Sequence, residues 1–134
     1  MSDYTQLRQL LEIDSPTGFT HNATAFLHDY FMDLGYQPEY TNKGALKVAL
    51  GQNPTTAIAA HVDTLGAIVS KINQDGTLSF SLLGGLSLTG AEGEYVRIRT
   101  AEEKIYTGTI LLNNPSVHAN RDKEETKRTV DSMH

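Results

Sequence analysis

A histidine and an aspartate two residues apart follow an apolar segment near the middle of the chain. Residues 55–60 are apolar on both faces, and His61-Val62-Asp63 comes directly after them. In an extended strand, side chains two residues apart point to the same side, which places His61 with Asp63. An imidazole can offer one ring nitrogen to a metal ion, while its other ring nitrogen needs a carboxylate or carbonyl partner. The spacing therefore indicates a metal site in which Asp63 either orients His61 or binds the metal itself.

The surroundings of this motif matter, because a histidine at the end of a strand is more often structural or simply exposed. The apolar composition of residues 55–60 is typical of a strand in the middle of a sheet that is covered on both sides. Open α/β sheets bind ligands at the carboxyl ends of their strands. His61 and Asp63 follow the predicted strand at that end, so the context favours a functional site.

Two helices are predicted before the site. Residues 4–13 carry apolar side chains at helical spacing, and the turn Ser15-Pro16-Thr17-Gly18 ends this first helix. A second helix lies between Thr20, which suits an N-cap, and Gly35, which suits the position after a helix C-terminus. Its apolar residues form one continuous stripe that comprises Ala23, Phe26, Leu27, Tyr30, Phe31 and Leu34.

The pattern changes to strands after the second helix. Residues 36–40 and 45–50 are candidate strands in front of residues 55–60. Beyond Gly66, alternating apolar and polar side chains predict two hairpins, the first of which turns at Asn73-Gln74-Asp75-Gly76. Their strands are predicted at residues 67–72, 77–83, 95–100 and 105–111. Such hairpins suggest a small barrel or a curled sheet, so the predicted fold is α/β with a β-rich second part and a boundary near Gly66.

The remaining charged stretches are interpreted as solvated structure. Eight of the sixteen residues 119–134 are charged. This segment has little to bury, so a solvated loop or helix is predicted for residues 119–127, and the terminal His134 is predicted to be disordered. Glu102-Glu103 lies between two predicted strands. We interpret it as a solvated hairpin turn and not as a catalytic pair, because charged residues are mostly exposed.

The composition excludes several classes of function. The chain is 39% hydrophobic and 20% charged, which is ordinary for a globular protein. Its net charge of −5 argues against a nucleic-acid partner, which requires a basic face. The absence of cysteine excludes disulfides, zinc–thiolate sites and a thiol nucleophile. No apolar run approaches the roughly 20 residues of a membrane helix. The N-terminal residues lack the features of a signal peptide, so a cytoplasmic location is expected.

Several short segments, in their order and spacing, resemble the M42 metallo-aminopeptidases. The resemblance covers roughly residues 10–118. It implies that residues 1–66 form the N-terminal part of an α/β metallopeptidase domain. Residues 67–134 would then belong to a β-rich, barrel-like domain inserted into it, used for dimer contacts and substrate access, and both parts would be incomplete. The matching segments include Ser15-Pro16-Thr17-Gly18, Asn42-Lys43-Gly44, His61-Val62-Asp63, Gly66-Ala67-Ile68-Val69, Leu83-Gly84-Gly85, Val96-Arg97-Ile98 and Thr107-Gly108-Thr109-Ile110.

The resemblance also implies an active site with two divalent metal ions, which would be zinc or else cobalt or manganese. By position, His61 matches the first metal-binding histidine of the family, and Asp63 matches the catalytic aspartate that supports it. The metal ions would polarise the scissile carbonyl and activate water, with a glutamate as general base. The chain would then be a fragment of a homo-oligomeric aminopeptidase that acts on peptides, without nucleic-acid or membrane partners.

Two features keep alternatives open. The family's other metal ligands and its glutamates lie beyond the inserted domain, so the isolated chain is expected to be inactive. Thr64 stands where the M42 pattern often has an acidic residue, and His-Val-Asp-Thr is also similar to the related M20 peptidases. The alternatives are an M20-like dipeptidase or deacylase fragment, and a non-catalytic module whose β-rich half serves as a dimerisation or regulatory surface.

Overall fold

The structure, a computed structural model, describes residues 4–134 and contains both helices and antiparallel strands. It divides into two units, the first ending at Leu65 and the second beginning at Gly66. The predicted mixture of helices and strands is confirmed. The assignment of the two units to a peptidase domain and an inserted domain stays a prediction. In the part of the chain that the structure describes, no helix is long and apolar enough to cross a membrane.

The first unit begins with the two predicted helices, α1 (Thr5–Leu11) and α2 (His21–Asp33). The turn between them, with Pro16 and Gly18, separates the helices as expected, because proline and glycine both disfavour a continuous helix. Gly35 follows α2 with a φ of 84°, the left-handed conformation that glycine adopts without strain. The apolar stripe and the flanking residues therefore predicted the position of α2 correctly, although the side chain of Thr20 makes no capping hydrogen bond.

A short hairpin follows in the first unit. Strand β1 (Glu39–Tyr40) pairs antiparallel with β2 (Leu46–Lys47). Both strands lie inside the longer segments predicted at residues 36–40 and 45–50. Gly44 allows the tight connection, because its φ of 79° suits the turn between the strands.

Residues 55–60 form no strand, contrary to the prediction of a central strand. Ile58 is 97% exposed, and residues 55–60 have no regular secondary structure. A central strand needs hydrogen-bonded neighbours on both sides. No strand within residues 4–134 pairs with this segment, and its apolar composition alone cannot supply backbone partners.

The second unit contains two antiparallel hairpins. Strand β3 (Gly66–Ile72) pairs with β4 (Leu78–Leu83), and β5 (Tyr95–Arg99) pairs with β6 (Ile105–Thr109). Both hairpins and the turn that contains Glu102-Glu103 were predicted correctly. A short helix, α3 (Leu88–Ala91), connects β4 to β5. The hairpins form separate two-stranded sheets within the described chain, and a barrel-like domain stays a prediction.

The core of the second unit is closed by the C-terminal segment, and the prediction of a disordered His134 was wrong. The N–H of His134 donates to the carbonyl of Leu111 at 2.9 Å, and the N–H of Leu111 donates back at 3.0 Å. This pairing fixes the segment and inserts Met133, which is 2% exposed. The buried cluster comprises Phe80, Leu88, Ala91, Ile110, Leu112 and Met133.

An ion pair holds the charged segment before Met133 against the same unit. Arg128 Nε donates to Glu92 Oε2 at 2.8 Å, and both side chains are 19% exposed. A terminal nitrogen of Arg128 also donates to the carbonyl of Thr126 at 2.7 Å. Residues 119–128 form turns, as the prediction of a loop or helix allowed. The charged side chains therefore include some that anchor this loop as well as some that face the solvent.

Asp75, in the turn between β3 and β4, accepts two hydrogen bonds from Thr77. The backbone N–H lies 3.0 Å and the hydroxyl 2.8 Å from Asp75 Oδ1. These donors favour the carboxylate, so the backbone bond first and the hydroxyl second lower the pKa of Asp75 below its ordinary 3.8. The ionised carboxylate therefore stabilises the fold above pH 3.8, and this contribution is lost as the pH falls through the lowered pKa.

Replacing Met133 by alanine should lower the free energy of unfolding by about 2–5 kcal/mol, because truncating a buried side chain leaves a cavity. The exposed Met32 on α2 provides the matched control, and Met32→Ala should change the same quantity by no more than about 0.5 kcal/mol. Urea denaturation measures both values. Equal and small effects in the two variants would contradict the placement of Met133 in the core.

Replacing Thr77 by valine should raise the pKa of Asp75 part of the way towards 3.8, because the hydroxyl donor is lost while the backbone N–H remains. An NMR titration of the Asp75 carboxyl carbon measures this pKa. Thr77→Ser keeps a hydroxyl and should titrate like the original chain. A midpoint at or above 3.8 in the unsubstituted chain would show that the turn does not make these bonds in solution.

Candidate metal site

Backbone contacts with the turn after α1 anchor the segment that carries His61 and Asp63. The N–H of Thr64 donates to the carbonyl of Ser15 at 2.7 Å. Pro16 and Thr64 form an isolated parallel bridge at the same place. Ser15 is almost completely buried, so its backbone offers a fixed attachment point. Two segments far apart in sequence are thereby held side by side in the first unit.

The structure brings His61 and Asp63 together, as the spacing predicted, but by a direct contact and not through a sheet. His61 Nδ1 lies 3.0 Å from Asp63 Oδ1 and 3.0 Å from the Asp63 carbonyl oxygen. A proton on Nδ1 would donate to these oxygens, which leaves the lone pair of Nε2 for a metal ion. The His61 side chain is 85% exposed, so this nitrogen is accessible. The roles of the two residues as metal ligand and catalytic aspartate stay predictions.

Thr17 is a third member of the site. Its hydroxyl donates to Asp63 Oδ2 at 2.7 Å, on the carboxylate oxygen that His61 does not contact. This bond is the main reason why the pKa of Asp63 lies below its ordinary 3.8. Partial burial of the carboxyl works against the shift, while the hydrogen bond and charge of His61 add to it. The carboxylate is therefore ionised in the neutral pH range.

Sequence reasoning did not connect Thr17 with Asp63. Thr17 was assigned to the turn that ends the first helix and to a segment that resembles the family, but to no site, and the two positions are 46 residues apart. A threonine in a turn is a common residue with many structural uses. The contact depends on the pairing of Ser15 with Thr64, which leaves no periodic pattern in the sequence.

The donor atoms fit a divalent metal ion but do not complete a site. Imidazole nitrogen and carboxylate oxygen are both ordinary zinc ligands, and cobalt and manganese accept them too. A catalytic zinc ion takes three protein ligands and one open position. Within residues 4–134, no group of three or more histidine, cysteine, aspartate or glutamate side chains is placed to hold a metal. His61 and Asp63 therefore supply donor atoms of the kind that such an ion takes, but too few to complete its coordination.

Glu102-Glu103, which the sequence analysis interpreted as a hairpin turn, belongs to the second unit. It lies in the turn between β5 and β6, where Glu103 has a φ of 63°. Glu103 is exposed and forms an ion pair with Arg99 of the same hairpin. The prediction of a hairpin turn is confirmed.

Comparison with known proteins identifies the family of the chain. Residues 44–134 match the family model described as M42 glutamyl aminopeptidase. This span includes His61 and Asp63. The chain therefore belongs to the M42 glutamyl aminopeptidase family, a family of peptidases. This result confirms the resemblance seen in the sequence and favours it over the M20-like alternative.

Individual relatives agree with this assignment. The chain is 37% identical over 130 residues to YhfE of Bacillus subtilis (strain 168), which carries a provisional aminopeptidase name; the match covers 95% of this chain and 38% of YhfE. The TET aminopeptidase from the marine sediment archaeon Thaumarchaeota archaeon SCGC AB-539-E09 superposes with a TM-score of 0.82 and 26% identity, over 96% of this chain and 36% of that one. The dodecameric PhTET1-12s shares the fold at a TM-score of 0.77 and 21% identity, over 100% and 39%. The chain thus spans less than two fifths of each of these proteins.

Proposed function

We propose that the chain is the N-terminal part of a divalent-metal-dependent aminopeptidase that removes N-terminal residues from peptides. The observation that carries this proposal is the His61–Asp63 contact, which leaves the outer imidazole nitrogen accessible within a segment that matches the M42 family. Family membership supports peptide substrates. The ion would be zinc, or else cobalt or manganese, because these metals accept nitrogen and oxygen ligands.

The residues of this chain would have separate tasks at the metal. His61 would bind it through Nε2, and Asp63 would hold the proton of the same ring at Nδ1. Divalent metal ions, when bound, would polarise the scissile carbonyl and activate water. The carboxylate of Asp63, whose pKa Thr17 and His61 lower further, is ionised in the neutral pH range and can accept a hydrogen bond from the Nδ1–H group.

The rest of the active site would come from outside this chain. One histidine and one aspartate cannot hold two metal ions, since each catalytic zinc usually needs three protein ligands. The other ligands and the general base would follow the second unit, which we assign to a barrel-like inserted domain. The chain covers less than two fifths of its relatives, which supports a longer parent enzyme.

The assembly and location belong to the same proposal. The solved relative PhTET1-12s is a dodecamer, and the shared fold supports a homo-oligomer for the complete protein. A cytoplasmic location follows from the sequence expectation. Sedimentation of the complete protein and fractionation of its own cells test these two statements separately.

Replacing His61 by glutamine in the complete protein should lower kcat/KM for aminoacyl-p-nitroanilides by at least about 100-fold, as loss of a metal ligand removes the polarising ion. Metal analysis should show that the purified variant contains less bound metal per chain than the original protein. His118, which is exposed in a loop, is the matched control, and His118→Gln should leave both quantities unchanged. If His61→Gln keeps full metal content and activity, the proposed metal site is wrong.

The 134-residue chain by itself should not hydrolyse these substrates in the presence of zinc, cobalt or manganese, because its ligand set is incomplete. The complete protein, assayed beside it, serves as the positive control. Metal-dependent turnover by the isolated chain would mean that copies of the chain complete the site for one another. Absence of activity in both proteins would instead support the non-catalytic module.

A further inference from the structure

We propose that Thr17 is a positioning residue: its hydroxyl fixes the orientation of the Asp63 carboxylate and thereby holds the His61 imidazole ready for the metal. This inference rests on the proposed function of the site. It assigns a role to a residue outside the His61-Val62-Asp63 motif and outside the span of the family match. The argument depends on the geometry of three side chains and on the backbone that carries Thr17.

The carboxylate of Asp63 is held by both of its oxygens. Thr17 Oγ1 donates to Oδ2 at 2.7 Å, and His61 Nδ1 lies 3.0 Å from Oδ1. The terminal torsion of an aspartate is broad and prefers no single sharp value. One hydrogen bond therefore leaves the carboxylate able to rotate, whereas two bonds on opposite oxygens define its plane. Thr17 supplies the second bond.

Orientation of the carboxylate determines the state of the imidazole. A neutral histidine carries its proton on one ring nitrogen, and the hydrogen bond of that nitrogen selects the tautomer. The Asp63 oxygens favour the proton on Nδ1, which leaves Nε2 as the metal-binding atom. Since His61 is 85% exposed, few other contacts restrain its ring. The Asp63 carbonyl oxygen, also 3.0 Å from Nδ1, is the second acceptor of that proton. A rotated carboxylate would leave the ring with one acceptor instead of two and would thereby loosen both the tautomer and the ring direction.

The positioning role of the Thr17 hydroxyl can be tested without disturbing the fold, because main-chain contacts hold the turn in place. Ser15 and Pro16 are joined to Thr64 by main-chain contacts that involve no atom of the Thr17 side chain. The side chain of Thr17 is exposed, so its replacement leaves no cavity in a core. A variant that lacks only the hydroxyl should therefore keep the turn in place and lose one specific bond to Asp63.

The test compares three variants of the complete protein that contains this chain. Thr17→Val removes the hydroxyl and keeps the branched shape, while Thr17→Ser restores a hydroxyl. Thr20→Val is the matched control, because Thr20 makes no side-chain capping bond to α2. Cobalt affinity, measured by titration of the visible absorption against a competing chelator, should fall about tenfold or more in Thr17→Val, as is usual when a supporting partner of a metal ligand is lost. Thr17→Ser and Thr20→Val should bind cobalt like the original protein.

A second readout works without metal. In the metal-free protein, ¹⁵N spectra of His61 recorded at the alkaline end of a pH series report the tautomer of the neutral ring. The original protein and Thr17→Ser should carry the proton on Nδ1, and Thr17→Val should show a mixture of tautomers. If the original protein binds no cobalt, the proposed function fails, while the spectra still decide whether Thr17 orients the pair.

Three outcomes would overturn the inference. Loss of cobalt affinity in Thr17→Ser or Thr20→Val, together with Thr17→Val, would show a structural defect and not the loss of one specific hydroxyl. Unchanged affinity in Thr17→Val would show that the second bond is not needed. An unchanged tautomer in Thr17→Val would show that Asp63 keeps its orientation without Thr17.

Discussion

One backbone hydrogen bond, from the N–H of Thr64 to the carbonyl of Ser15, joins two segments that are far apart in sequence. It holds the turn after α1 beside the segment that carries His61 and Asp63, and this proximity lets the hydroxyl of Thr17 reach Asp63. The carboxylate of Asp63 in turn meets the imidazole of His61. Each polar group is thus placed by the one before it: the Thr64–Ser15 backbone bond positions the Thr17 hydroxyl, the hydroxyl positions the Asp63 carboxylate, and the carboxylate positions the His61 ring. In such a network, the effect of one group depends on the others.

The second unit is held together differently, because most of its strand pairings join residues that are close in sequence. Its two hairpins connect strands that are neighbours in sequence, and closing a short loop costs little conformational entropy. The exception is the pairing of Leu111 with His134, which brings Met133 into the core across a charged loop. The ion pair of Arg128 with Glu92 holds that loop in place between residues 112 and 133. A few non-local contacts therefore convert separate hairpins into a unit with a shared core.

The difference between local and non-local contacts explains what could be predicted from the sequence. Helix α2 and the hairpins leave repeating patterns of apolar residues or turn residues, and these elements were predicted. Residues 55–60 and His134 were predicted wrongly, because their states depend on pairing with distant backbone, which composition does not reveal. The contact of His61 with Asp63 followed from their spacing. Thr17 was missed as a site residue because only the fold brings it across 46 positions.

The exposed segment before His61 bears on how the proposed metal site would work. Full burial of an isoleucine such as Ile58 stabilises a protein by about 1.5–3 kcal/mol, so residues 55–60 would gain from becoming a covered strand in a larger protein. Such a strand would fix the backbone of His61. It would not select the ring tautomer, which depends on the hydrogen bond at Nδ1. The contact of Nδ1 with Asp63, which favours one tautomer, already exists while residues 55–60 form a loop. In the proposed metal site, a partner that is oriented before the metal binds would reduce the ordering cost of binding, so the preformed contact would be an advantage whether or not the strand is paired.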